Sequence, residues 1–200
     1  MRAVHALCAL GLMSALTFGQ GGPRAAQLAY ERGIRLEQEG QLEQALTAYA
    51  EVLEHNPRSS AALRRRAGLL VQLGRLDEAG AELERVFALN RSDPEGWRLR
   101  GELQLARGEP QAALESFERC LSTQYETSAV QRGRGEALAR LGRNEEALEA
   151  FGRAIRLRLD DPRPWLERGK LLASLERYHD AIEDFDRALA LDPGLADALY

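Results

Sequence analysis

The sequence predicts an all-α fold, an α-solenoid of stacked helix–turn–helix units, and three observations predict it. Small residues recur every 34 positions, as Gly33, Ala67, Gly101, Gly135 and Gly169 in one series and Ala45, Ala79, Ala113, Ala147 and Ala181 in another. Such series belong where two helices cross too closely for a larger side chain. A large side chain follows at the same step, as Tyr49, Leu83, Phe117, Phe151 and Phe185. Ser59, Asp93, Thr127 and Asp161 then place a good N-cap before successive helices. A helix pair this short cannot bury both its apolar faces alone, so a fixed period means units that stack on their neighbours.

Taken in order, residues 1–19 do not belong to the array. Arg2 and His5 form a polar start, Ala6 to Phe18 is an uncharged apolar run, and Gly19-Gln20-Gly21-Gly22-Pro23 breaks it. That is the order of a signal peptide, with Thr17-Phe18-Gly19 favouring a cut after Gly19. The run falls short of the roughly 20 residues that a spanning helix needs. The expected destination is therefore periplasmic or secreted, the alternative being an uncleaved membrane anchor through residues 6–18. Cys8 lies inside the run, in a context unlike a lipoprotein box. Residues 20–25 read as a linker.

Five units follow, 26–59, 60–93, 94–127, 128–161 and 162–195. The last is the clearest. Trp165, Gly169 and Leu172 share one face of its first helix, and Asp161 caps that helix with Pro162 at its first position. Tyr178, Ala181, Ile182, Phe185, Ala188 and Leu189 recur at spacings of three and four in the second helix, which Asp192-Pro193 closes. Leu195 to Tyr200 reads as the opening of a sixth unit, with Leu199 in phase with Trp165. The ends of a solenoid need polar caps. The expectation is either a longer native chain or self-association through this open C-terminal end.

Composition agrees with a soluble, well-patterned chain. It is 44% hydrophobic and 29% charged, with aromatic residues at 6% and no strand-like alternation. A net charge of −4 argues against nucleic acid as a partner. Lys170 is the one lysine among 27 basic residues. Cys120 stands where later units have Ala154 and Ala188, which predicts a small buried hydrophobe with no disulfide partner. His55 and His179 fall in different units, and no HExxH, CxxC or Gly-rich phosphate loop occurs. The carboxylate pairs Glu145–Glu146 and Asp184–Asp186 do not converge on one helix face. No catalytic constellation, metal site or cofactor site is expected, and the chain reads as a non-enzyme.

The phased residues resemble the tetratricopeptide repeat (TPR) family over residues 26–195, best in the last unit through Trp165, Gly169, Ala181, Phe185 and Pro193. There are departures. Arginine precedes the packing position in every unit (Arg32, Arg66, Arg100, Arg134 and Arg168). The late proline survives as Pro57 and Pro193 but is replaced by Arg91, Tyr125 and Leu159, and Gln104 stands where a large side chain is usual. The five arginines read as structural, their heads expected to meet acids of the second helices such as Glu149 or Glu183.

The resemblance implies a right-handed superhelix whose first helices line a concave groove for segments of partner proteins. It assigns the groove to Tyr30, Arg64, Arg98, Arg132 and Leu166, and four residues on to Ile34, Gly68, Glu102, Glu136 and Lys170. Arg98–Glu102 and Arg132–Glu136 can pair internally. Arg64, followed by Gly68, has no such acid and is expected to be the groove's best single probe. The family's Lys and Asn clamp for a terminal carboxylate is not matched. The expectation is a protein-interaction scaffold taking an extended, acidic partner segment. If the arginines are only a solvated face, binding would fall on Tyr30, Val71 and Leu105. The alternative function is a recruiting part of a larger exported enzyme, a peptidase or glycosyltransferase.

Overall fold

A computed structural model describes residues 22–198. The stretch 1–19 read above as a signal peptide, with Cys8, residues 20 and 21, and Leu199 with Tyr200 lie outside the described residues. Ten α-helices and a 3-10 helix make up the described chain, with no strand among the described residues. In order they are α1 (Gly22–Gln38), α2 (Leu42–His55), α3 (Ser60–Gln72), α4 (Leu76–Leu89), α5 (Pro94–Ala106), α6 (Pro110–Ser122), α7 (Ser128–Arg140), α8 (Asn144–Leu157), α9 (Pro162–Ser174), α10 (Tyr178–Leu191) and the 3-10 helix Pro193–Ala198. This is an all-α solenoid of helix–turn–helix repeats.

Local chemistry sets the helix boundaries. Asp93 accepts from the Gly96 amide at 2.7 Å, Thr127 from Val130 at 3.3 Å, Asp161 from Arg163 at 3.1 Å and Ser59 from Ala62 at 3.4 Å. Each bond satisfies one of the amides that a helix start leaves open. The second helices begin without a side-chain cap at Gln41, Arg75, Glu109, Arg143 and Arg177. Three of these starts carry an i,i+3 ion pair instead, Arg75–Glu78, Arg143–Glu146 and Arg177–Asp180. Between the helices of each pair, Gly40, Gly74, Gly108 and Gly142 take φ of +72 to +75°. Only glycine reaches that region without cost. In the last turn Glu176 holds the same place at φ 61°.

The described chain divides into two compact units, one ending at Leu69 and the other beginning at Leu70. In the first, α1 packs on α2. Tyr49 is fully buried, and a Cβ at Gly33 would lie 2.6 Å from its ring, so the small residue there is required by close approach. Tyr30 meets Tyr49 edge to face at 5.5 Å. Arg66 donates to the Leu46 carbonyl at 3.1 Å.

In the second unit α5 packs on α6, α7 on α8 and α9 on α10, while α6 meets α7 and α8 meets α9. Phe117 and Phe151 are buried at their centre. A Cβ at Gly101 would come within 2.7 Å of the Phe117 ring, one at Gly135 within 2.8 Å of Phe151 and one at Gly169 within 2.6 Å of Phe185. Gly133, which the period did not mark, packs on the other side of Phe117. A phenylalanine buried this way contributes about 1.5–3 kcal/mol. Cys120 is buried and free, its thiol donating to the Pro94 carbonyl at 3.1 Å.

The departures from the repeat pattern have local compensations. Gln104 and the buried Ser116 hydroxyl are hydrogen-bonded at 2.6 Å across α5 and α6, replacing an apolar contact. The Arg91 carbonyl accepts from Trp97 Nε1 at 3.0 Å, and the Tyr125 hydroxyl donates to Glu95 at 3.0 Å, so both substitutes for proline fasten the following or preceding first helix. Three of the arginines before the packing position meet acids of second helices, as expected, but not Glu149 or Glu183. Arg32 pairs with Glu51, Arg100 with Glu84, and Arg168 forms a bidentate pair with the buried Asp184 at 2.7 Å. Glu149 instead pairs with Arg153 on its own helix, and Glu183 faces His179. Asp184 lies one residue, or about 100°, round α10 from Glu183 and points inward.

Candidate binding face

Each unit places part of the groove positions read from sequence. In the first, Tyr30 is half-buried and helps line a cleft of about 450 Å³ with Val52, His55 and Ala61. Ile34 and Gly68 are half-buried. Arg64 is also half-buried and engaged in an interaction, which corrects the expectation that it stands without a partner. Its neighbour Arg65 pairs with Glu37 at 3.0 Å.

In the second unit the first helices α5, α7 and α9 touch in succession, and their charged side chains converge. Arg98 is held between Glu95 and Glu102, both at 2.5 Å, with its side chain 17% exposed. Burial alone would lower the Arg98 pKa. The hydrogen bond to Glu95 and the charges of Glu102 and Glu95 outweigh it and hold the guanidinium above its usual value. Arg98 is therefore neutralised within α5. Glu95 also takes the Tyr125 hydroxyl, and burial followed by the Glu95 charge raises the Tyr125 pKa. The Cys120 thiol is pushed up to about 11, first by burial and then by Glu95, which leaves it unreactive at neutral pH.

Arg132 is placed differently. Its nearest carboxylate oxygen, on Glu136, is 4.0 Å away, because Glu136 is taken at 2.6 Å by Arg140. Arg140 also donates to the Leu105 carbonyl at 2.6 Å. The Arg132 Nε is buried and donates to no protein acceptor. The donors of Arg132 thus stay underused, whereas Arg98 is held by two glutamates. Asp161 and Arg163 flank it at the start of α9, joined side chain to side chain at 2.9 Å. Burial pushes the Asp161 pKa up, but the Arg163 hydrogen bonds and charge, with Arg132 adding, bring it below its usual value. Glu102 and Arg98 in turn act on Arg163. Leu166 is 7% exposed and belongs to the core, whereas Lys170 is exposed beside Glu167 at 3.0 Å. Leu105 is buried at 6% exposure, and Val71 is half-buried.

Among the described residues no group of three His, Cys, Asp or Glu side chains can hold a metal ion, and no helix is long and apolar enough to cross a membrane. The face is thus a row of guanidinium and carboxylate groups on a rigid helical support.

No curated protein matches the chain. Solved structures do, at low identity. A thermophilic TPR protein from Thermus thermophilus is 22% identical with a TM-score of 0.77, covering 84% of this chain and 92% of that one. PilF of Pseudomonas aeruginosa is 21% identical at 0.69, covering 90% and 86%. The Cut9–Hcn1 hetero-tetramer of the APC/C gives 21% and 0.78 over 88% of this chain and 35% of that one. At these identities the likeness concerns the fold. Tetratricopeptide repeat family models match residues 36–103, 98–158 and 132–196. With most of its length covered in phase with its own 34-residue period, the chain belongs to the tetratricopeptide repeat family.

Proposed function

We propose that this chain is a non-catalytic protein-interaction scaffold whose α5–α7–α9 face takes an extended, acidic segment of a partner protein. Family membership supports the scaffold reading, since TPR arrays generally bind proteins. The observation that carries the acidic segment is Arg132, a largely buried guanidinium with an unused Nε and a carboxylate no nearer than 4.0 Å. A partner carboxylate would supply the terminal Nη groups of Arg132 with the acceptor that Glu136, drawn off by Arg140, does not. Arg98, already held by two glutamates, contributes position more than affinity.

A charge-assisted hydrogen bond contributes about 1.5–3 kcal/mol when desolvated, against about 0–1 for an exposed pair. Arg132, with its side chain 19% exposed, lies toward the first case. The test is fluorescence anisotropy of a labelled ten-residue oligoglutamate peptide, and of an oligolysine control, at low and moderate salt. The parent is expected to bind the acidic peptide alone, Arg132→Ala to lose about tenfold (about 1.4 kcal/mol) and Arg132→Glu to lose more. If both variants bind as the parent does at unchanged melting temperature, the face is only solvated charge.

Residues 1–19 support a further element of this reading, export to the periplasm or medium with cleavage near Gln20. The mass of the mature protein from cells checks it directly, and an intact Met1 would count against it. The exposed apolar residues of α10, Tyr178, Ile182 and Leu191, also favour self-association through that helix.

A further inference from the structure

The large apolar side chains that remain exposed are not scattered. Among the described residues they are Leu28 on α1, Leu157 and Leu159 around the α8–α9 turn, and Tyr178, Ile182 and Leu191 on α10. Leu28 is 59% exposed, whereas Ala62 and Val130, at the same place in other first helices, are at 0%. Ile182 is also 59% exposed, whereas Leu46 and Leu114, its counterparts in other second helices, are at 5% and 2%. Leu28 marks the side of a first helix that elsewhere meets the preceding repeat. Ile182 marks the side of a second helix that elsewhere meets the following one.

The two uncovered sides carry the chemistry of a junction the chain already makes. In the α8–α9 junction, α8 offers Leu148, Glu149, Phe151 and Ile155, and α10 offers Ile182, Glu183, Phe185 and Leu189 at the same phases. The arriving helix there, α9, carries Glu167-Arg168-Gly169, and α1 carries Glu31-Arg32-Gly33. Charge adds direction. The open side of α10 is rimmed by Glu183 and Asp186, both exposed, while the open side of α1 carries Arg32 and Arg35, also exposed. Arg100, in phase with Arg32, crosses to the preceding second helix at Glu84, and Glu84 is in phase with Asp186. An α10-to-α10 pairing would instead bring acids against acids, at a cost.

Resting on the self-association reading of α10 above, we infer that α10 of one copy receives α1 of a second copy, head to tail, with Arg32 of the arriving helix exchanging its own-repeat partner Glu51 for Asp186. Leu28 then covers part of the apolar stripe around Ile182, and the stem of Arg35 lies along it with its head in solvent. Such a contact is heterologous, so each added copy still offers a free α1 at one end and a free α10 at the other.

Because Leu28 and Ile182 are exposed, each can be replaced with little cost to the fold. The test is sedimentation of the full chain with Leu28→Glu and with Ile182→Glu, helicity and melting being checked in each. The parent is expected to gain mass with concentration, while each variant stays at 22.2 kDa. Equal amounts of the two variants mixed together should give about twice that mass and go no further, since each retains one intact face. Continued association of Leu28→Glu alone would mean that α10 pairs with another surface and would overturn the inference. A parent that stays monomeric at every concentration would overturn both the inference and the self-association reading. A variant mixture that remains monomeric beside an associating parent would overturn only the choice of α1 as the partner.

Discussion

Phe117 and Phe185 hold the same place in two repeats and live in different surroundings. Phe117 is fully buried, with Gly101 of its own repeat on one side and Gly133 of the next on the other. Phe185 has Gly169 on one side and remains half-buried. The same residue type thus gains the last part of its cover from a neighbour. A repeat supplies its own helix crossing, and the adjoining repeat completes the core.

Truncation is the strongest way to break the comparison. Phe117→Ala is expected to cost about 3–5 kcal/mol, as for a large side chain removed from a closed site. Phe185→Ala should cost roughly half as much, since the site can collapse and water already reaches it. Chemical denaturation of both variants checks the ratio, and equal losses would mean that the neighbour adds nothing. A smaller effect sharpens it. Glu176 occupies the left-handed turn position that Gly40, Gly74, Gly108 and Gly142 fill elsewhere. A non-glycine residue there costs roughly 1–2 kcal/mol, partly offset by the entropy glycine loses on folding. Glu176→Gly should therefore stabilise the last repeat by about 0.5–1 kcal/mol, visible as a rise in melting temperature.

Most of the fold was legible because a period of 34 repeats every constraint in phase. The caps at Ser59, Asp93, Thr127 and Asp161 and the glycine–aromatic crossings followed from that step. The left-handed glycines Gly40, Gly74, Gly108 and Gly142 share the same period but did not enter the sequence reading above. Gly133 was not readable, because it serves one junction only. The candidate face was legible in part. Arg98–Glu102 follows from i,i+4 spacing, but that rule also pairs Arg132 with Glu136, which Arg140 captures from the other side. Arg168 chose Asp184 over Glu183 because one residue turns a helix by about 100°. Long arginine stems reach partners that sequence spacing does not encode, as with Arg140 and the Leu105 carbonyl.

The central claim is that each repeat is held by the next. Native-state hydrogen exchange reads it directly, in the Leu28→Glu chain so that association does not intervene. Amides of α7 and α8, with neighbours on both sides, are predicted to exchange at least about tenfold more slowly than those of α10. Equal protection of α10 and α7 would contradict the account.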